Sequence, residues 1–234
     1  MRFLALLVTV LVLSGCVWTR LLDMKNQFKD FDRYIEPVND GTSLLLKFKE
    51  PCVQPDDIGY LLGGDPTTKT TSVDKVTTWT YQLKRARPDS IGLTITLTSR
   101  DVLADSIKIP PEVLAFIPRD RLLAMIRAFG KAEIDKDKRQ ATAGLAGADA
   151  KPISPGRATI IAALGEPDAT TAVDAEIQRL TYTFHLINKD TKDPKEIAKG
   201  PGSTLLLDLK AERLVELRFQ APRFNTWVKL DGSK

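Results

Sequence analysis

The chain has 234 residues, of which 43% are apolar and 27% charged, the balance of a folded globular protein rather than a disordered one. Its net charge is +4, from 34 basic and 30 acidic residues spread along the chain. No Lys/Arg run is interleaved with aromatics, which argues against nucleic acid as a partner.

Met1-Arg2 is a short basic start, and Phe3 to Leu13 follow as an apolar run. Such a run spans roughly 16 Å as a helix, about half of a ~30 Å hydrocarbon core. It is too short to cross a membrane and suits the h-region of an export signal. Leu13-Ser14-Gly15-Cys16 comes next. This resembles the lipobox of bacterial lipoproteins at all four positions. The resemblance implies diacylglyceryl transfer to the Cys16 sulfur, cleavage after Gly15, and acylation of the new amino terminus with fatty chains such as palmitate. A thiol is soft and nucleophilic enough for that alkylation. Two or three chains hold durably where one would not. Val17 stands where an Asp would resemble an inner-membrane retention signal in enteric bacteria. Its presence points to the outer membrane, at the periplasmic face.

Leu21, Met24, Phe28, Phe31 and Ile35 recur at a spacing near that of one helical face, so residues 18–36 predict a helix or strand covering the core. Asn39-Asp40-Gly41 predicts a turn, and Ser43 to Phe48 a strand. Cys52 lies just beyond, between Pro51 and Val53, and reads as a buried thiol with no intrachain partner once Cys16 is modified.

Two later segments share an order of elements. The first has a short helix from Pro55 that stops at Leu62-Gly63-Gly64-Asp65-Pro66, and the second one from Pro155 that stops at Leu164-Gly165-Glu166-Pro167. Proline suits the first turn and glycine the position after the last, with Ser154 as the expected N-cap. Thr77 to Leu83 and Leu180 to Leu186 then alternate apolar and polar residues, as half-buried strands do. Two further strand patterns follow in each segment, at 93–109 and 204–219. Between the segments, Leu122, Leu123, Ile126 and Phe129 predict a helix ending at Gly130. Residues 131–153, charge-rich and then Ala/Gly-rich, read as a solvated helix end running into a linker. Asn188–Lys199 reads as a charged loop.

The helix ending in Leu-Gly-x-Pro, the Tyr182-Thr183-Phe184 strand and the following meander, in a lipoprotein, resemble the SmpA/OmlA (BamE-like) domain. The β-lactamase inhibitory protein is similar to two such units in tandem. The resemblance implies an α+β fold of two repeated units, each a short helix packed on a three-stranded antiparallel meander, with an extra N-terminal strand or helix segment. The domains expected are 1–15 signal, 16–53 tether and strand, 54–130 first unit, 131–153 linker and 154–234 second unit.

No catalytic constellation is legible. His185 is the one histidine and alternates with Phe184 and Leu186 along a strand. One His and one spare Cys cannot assemble a zinc site of the usual Cys/His composition. Asp135-Lys136-Asp137 lacks the third ligand, the glycine and the terminal Glu of a calcium loop. No nucleophile elbow, Walker loop or dinucleotide fingerprint appears. The chain thus reads as a non-enzymatic, membrane-anchored, periplasm-facing lipoprotein that needs no cofactor and binds or scaffolds an envelope protein, a role in outer-membrane assembly being implied by the resemblance. An anchored inhibitor or small-ligand-binding module is the alternative.

Overall fold

A computed structural model describes residues 16–87, 90–145 and 155–230. The expected signal segment, 1–15, and Ser154 lie outside the described residues. The described part opens with helix α1 (Cys16–Lys29) and a short α2 (Phe31–Tyr34). A hairpin follows, β1 (Ile35–Asp40) and β2 (Ser43–Phe48), turning at Gly41 with φ +60°. Next come α3 (Pro55–Leu62), β3 (Thr68–Thr71), β4 (Thr77–Lys84), β5 (Leu93–Ser99) and β6 (Ala104–Ile109). Helices α4 (Pro111–Phe116) and α5 (Arg119–Phe129) lead to β7 (Glu133–Asp135) and β8 (Gln140–Gly144). The remainder is α6 (Arg157–Leu164), β9 (Ala169–Ala172), β10 (Ile177–Ile187), α7 (Pro194–Ile197), β11 (Gly202–Lys210), β12 (Arg213–Ala221) and β13 (Phe224–Lys229).

Local chemistry accounts for the helix ends. Pro55 begins α3 behind a capping box, in which the Gln54 N–H donates to Asp57 Oδ2 at 2.9 Å. Gly63 and Gly165 stop α3 and α6 with φ of +83° and +77°, a left-handed backbone that glycine adopts without strain. Gly130 ends α5 for a different reason. Its φ is −59°, but a Cβ there would lie 2.2 Å from the Lys29 nitrogen, so only glycine lets α5 meet the end of α1. The N-cap of α6 is Gly156.

The expected pair of separate helix-plus-meander units is overturned. Among the described residues, the strands of both segments run into one 13-stranded mixed sheet, ordered β1-β2-β6-β5-β4-β10-β11-β12-β13-β8-β7, with β3 beside β4 and β9 beside β10. The reason lies at the strand edges, whose unpaired N–H and C=O groups seek partners. β3 pairs with only the first part of β4, and β9 with only the first part of β10. The uncovered ends pair with each other through His185↔Lys84, Leu186↔Leu83 and Ile187↔Gln82. On the far side of β6, the β1-β2 hairpin extends the sheet.

The segment 131–153 is likewise not a plain linker. Its described part forms the β7-β8 hairpin, and β8 pairs parallel with β13 from Asn225↔Gln140 to Lys229↔Gly144. Residues 146–153 lie outside the described residues. Small side chains make this docking work: Ala132, Ala141 and Ala143 are buried under α5 and against Phe224.

A single core draws on both segments. Tyr81, Leu83 and Leu97 share it with Leu180, Tyr182, Phe184 and Leu207, all almost fully buried. Each side chain of that kind contributes about 1.5–3 kcal/mol by leaving water. The Tyr81 hydroxyl donates to Pro55 O at 2.9 Å and that of Tyr182 to Gly165 O at 3.1 Å, so α3 and α6 are pinned to the same face of the sheet.

Candidate functional site

With α3 and α6 on one face, the alternation of each strand sends the other set of side chains to the opposite face. That set is half-buried to exposed and rich in hydroxyls. It includes Thr78, Thr80, Thr94, Thr96 and Thr98 on β4 and β5, and Thr181 and Thr183 on β10. Thr98 and Ser106 join across β5 and β6 at 2.7 Å. Threonine suits an exposed strand face because its β-branch packs on the pleat while its hydroxyl meets water.

A charged and aromatic cluster occupies the β10-β13 part of this face. Arg179↔Asp208, Leu206↔Arg218 and Arg218↔Trp227 are direct cross-strand neighbours. Arg179 clasps Asp208 in two bonds, Nε to Oδ1 and Nη2 to Oδ2, each 2.6 Å, the fork geometry that guanidinium and carboxylate share. Arg218 donates from Nε to Glu216 Oε1 at 2.5 Å and lies 4.0 Å above the Trp227 ring. Lys229 stands 5.8 Å from the same ring. The Trp227 indole N–H is buried and has no hydrogen-bond partner among the described residues. Such an aromatic-arginine platform, held rigid by paired charges, is what protein interfaces use as anchors.

The end of the β4-β10 seam is covered. The 188–201 segment, which carries α7, folds over it: Lys84 Nζ bonds Asp190 Oδ1 at 2.5 Å and Thr191 O at 2.9 Å. The expected charged loop at 188–199 contains a short helix and lines, with Asp65 and Leu186, a cavity of about 390 Å³.

His185 lies on the open side of β10 opposite Lys84, its Nδ1 3.0 Å from Gly200 O. Cys52 is half-buried in the loop after β2, packed against the core. Burial, with Asp23 and Asp57 nearby, pushes its thiol up to about 11. Asp135 is held below the usual carboxylate range mainly by the Lys138 N–H and ammonium that bond it, and Asp137 belongs to the same hairpin turn. Among the described residues, no group of three His, Cys, Asp or Glu is placed to hold a metal ion.

Cys16 lies on α1, and that helix is docked rather than loose. Arg20 grips the buried Asp57 carboxylate, Nε to Oδ2 at 2.7 Å and Nη2 to Oδ1 at 2.5 Å. Met24 is buried, and Leu21 and Phe28 pack on the core. No described helix is long and apolar enough to cross a membrane.

Sequence reasoning did not find the Arg179-Asp208-Arg218-Trp227 cluster. Each strand's alternation marks these as same-face residues, but it does not tell which strands stand side by side. Compared with known proteins, the chain matches no family model, no curated protein and no solved structure.

Proposed function

We propose that this chain is a non-enzymatic, exported lipoprotein, held at a membrane by acyl chains on Cys16, whose open sheet face binds another protein. The observation that carries the reading is the four-residue match Leu13-Ser14-Gly15-Cys16, at signal-peptide distance from Met1. The packing of α1, through Met24, Leu21 and Phe28, directly on the body supports it, because an anchor at Cys16 would then hold the body close to the bilayer. The platform of Arg179, Arg218 and Trp227 supports the binding half of the reading, being half-buried and held by the Asp208 and Glu216 carboxylates. Val17 favours the outer membrane, periplasmic side, and the likeness to SmpA/OmlA motifs favours a partner in envelope assembly.

The test is crosslinking in the envelope of a Gram-negative host, followed by purification of the lipidated protein. Wild type is expected in the membrane fraction with a crosslinked envelope protein. Cys16→Ser is expected to leave that fraction, and its retention there would sink the anchoring claim. Trp227→Ala with Arg218→Ala is expected to keep the anchor and lose at least tenfold of the crosslinked partner. Undiminished capture would show that the open sheet face is not the contact. Recovery of a soluble hydrolase as partner would replace scaffold with inhibitor.

A further inference from the structure

A cavity of about 250 Å³ lies between α1, the end of α5 and strands β7, β8 and β13. Its walls are almost wholly apolar, formed by Trp18, Leu22 and Phe28 on one side and Phe129, Ile134 and Phe224 on the other. The Trp18 and Phe224 rings stand 6.3 Å apart, tilted at 56°. Leu22 is 36% exposed at this place. A cavity with such walls has nothing to offer water and takes apolar ligands.

Where it leads decides what fills it. Trp18, Leu22 and Ile134 also line a second groove of about 280 Å³, which continues to Thr19, Lys136 and Arg139. Thr19 stands three residues after Cys16 on the same helix, less than one turn. The groove lined by Thr19, Lys136 and Arg139 and the apolar chamber therefore share a wall, and residue 16 lies on the helix that lines both. Resting on the anchoring reading above, we propose that this chamber holds one acyl chain of the lipid on Cys16, while the remaining chains enter the bilayer.

The chemistry of a diacylglyceryl cysteine fits this groove and chamber. Its ester carbonyls are acceptors, and Lys136 and Arg139 in the groove lining are donors. Its chain is linear and apolar, and the chamber is lined by aromatics and leucines. Because α1 is pinned by Arg20 to Asp57, residue 16 is carried on a docked helix instead of at the end of a slack tether. The body is thereby seated on the membrane with Trp18 and Leu22 toward it, an arrangement suited to tryptophan at the headgroup level.

A diazirine-bearing fatty acid, fed to cells making the full-length protein, places a photoreactive chain on Cys16. After irradiation in native membranes, mass spectrometry is expected to find the Cys16 lipid joined to the Phe28, Phe129 or Phe224 peptides of the same molecule. Leu22→Arg sets a charge at an exposed position of the chamber and is expected to reduce that product at least fivefold, with the melting temperature unchanged. A labelled Cys16 whose photoproducts are all with bilayer phospholipid overturns this proposal and leaves the anchor intact. Photoproducts joining the chamber to a separate phospholipid also overturn it, because the occupant is then not the anchor. A protein with no label on Cys16 overturns the anchoring reading and this one together.

Discussion

Arg85 and Asp168 are 2.6 Å apart, nitrogen to oxygen, and lie on different segments of the chain. Arg85 is 2% exposed and follows β4, while Asp168 sits in the turn after α6. The same guanidinium donates to Leu164 O at 3.0 Å and Glu166 O at 2.6 Å and lies 5.0 Å from the Tyr182 ring. One side chain thus satisfies the carbonyls at the end of α6 and fastens them to the neighbouring strand. Arg87 adds a second, more exposed contact to Asp168 at 3.3 Å.

Arg85→Met keeps much of the volume and removes every donor. It takes the side-chain donor from Leu164 O, leaves Glu166 O to the more exposed Arg87, and leaves the Asp168 carboxylate to Arg87 and the Thr183 N–H. The expected cost is on the order of 2–3 kcal/mol. Urea unfolding followed by circular dichroism checks this, through a lower midpoint at an unchanged slope.

Acid tests the other half of the pair. Burial pushes the Asp168 carboxyl up, but the Arg85 bonds, the Thr183 N–H and Arg87 outweigh it and hold the group below its ordinary value. A depressed folded value means stability that is fully present above the unfolded value of about 3.9 and is lost as pH falls through the folded one. The melting temperature is expected to fall below about pH 4, and Asp168→Asn is expected to shrink that fall. Equal acid limbs in the two proteins would show that Asp168 does not contribute to it.

Gly130→Ala sets a methyl group 2.2 Å from the Lys29 nitrogen and 2.5 Å from Lys29 Cα. Neither backbone is a flexible side-chain end, so α1 has to shift away from α5. Overpacking of this kind costs about 1–3 kcal/mol. Hydrogen exchange in α1 is expected to accelerate more than in β10, which resolves a local loosening from a global one.

Cys52, with its thiol raised to about 11, is expected to alkylate slowly. At pH 8 its thiolate fraction is roughly two orders of magnitude below that of a free cysteine near 8.5. The rate with iodoacetamide is expected to climb about tenfold per pH unit between pH 8 and 10. A rate at pH 8 equal to that of a small thiol would contradict the burial seen here.

The local elements were legible because their causes are local. Pro55 and Gly63 bracket α3, Gly165 stops α6, and the alternation Leu180-Tyr182-Phe184-Leu186 put those four side chains in the core. Asn39-Asp40-Gly41 marked the β1-β2 turn. The charged stretch from Lys131 misled, since Glu133 and Asp135 look solvated in sequence and are the edge strand of a hairpin in structure. Edge strands carry charge for good reason, and that makes them read as loops.

Helix ends, the apolar side of each strand and the Leu-Ser-Gly-Cys pattern at Cys16 can all be read from residue types and periods. The joining of β4 to β10 in one sheet, the parallel pairing of β8 with β13 and the shared patch of Arg179, Arg218 and Trp227 come from the folded chain. Helix caps and alternation depend on neighbours a few residues away. Strand pairing joins residues such as Lys84 and His185, or Thr142 and Trp227, whose separation leaves no trace in any local pattern. The partner of an edge is fixed by which backbone groups remain unpaired once everything else has folded.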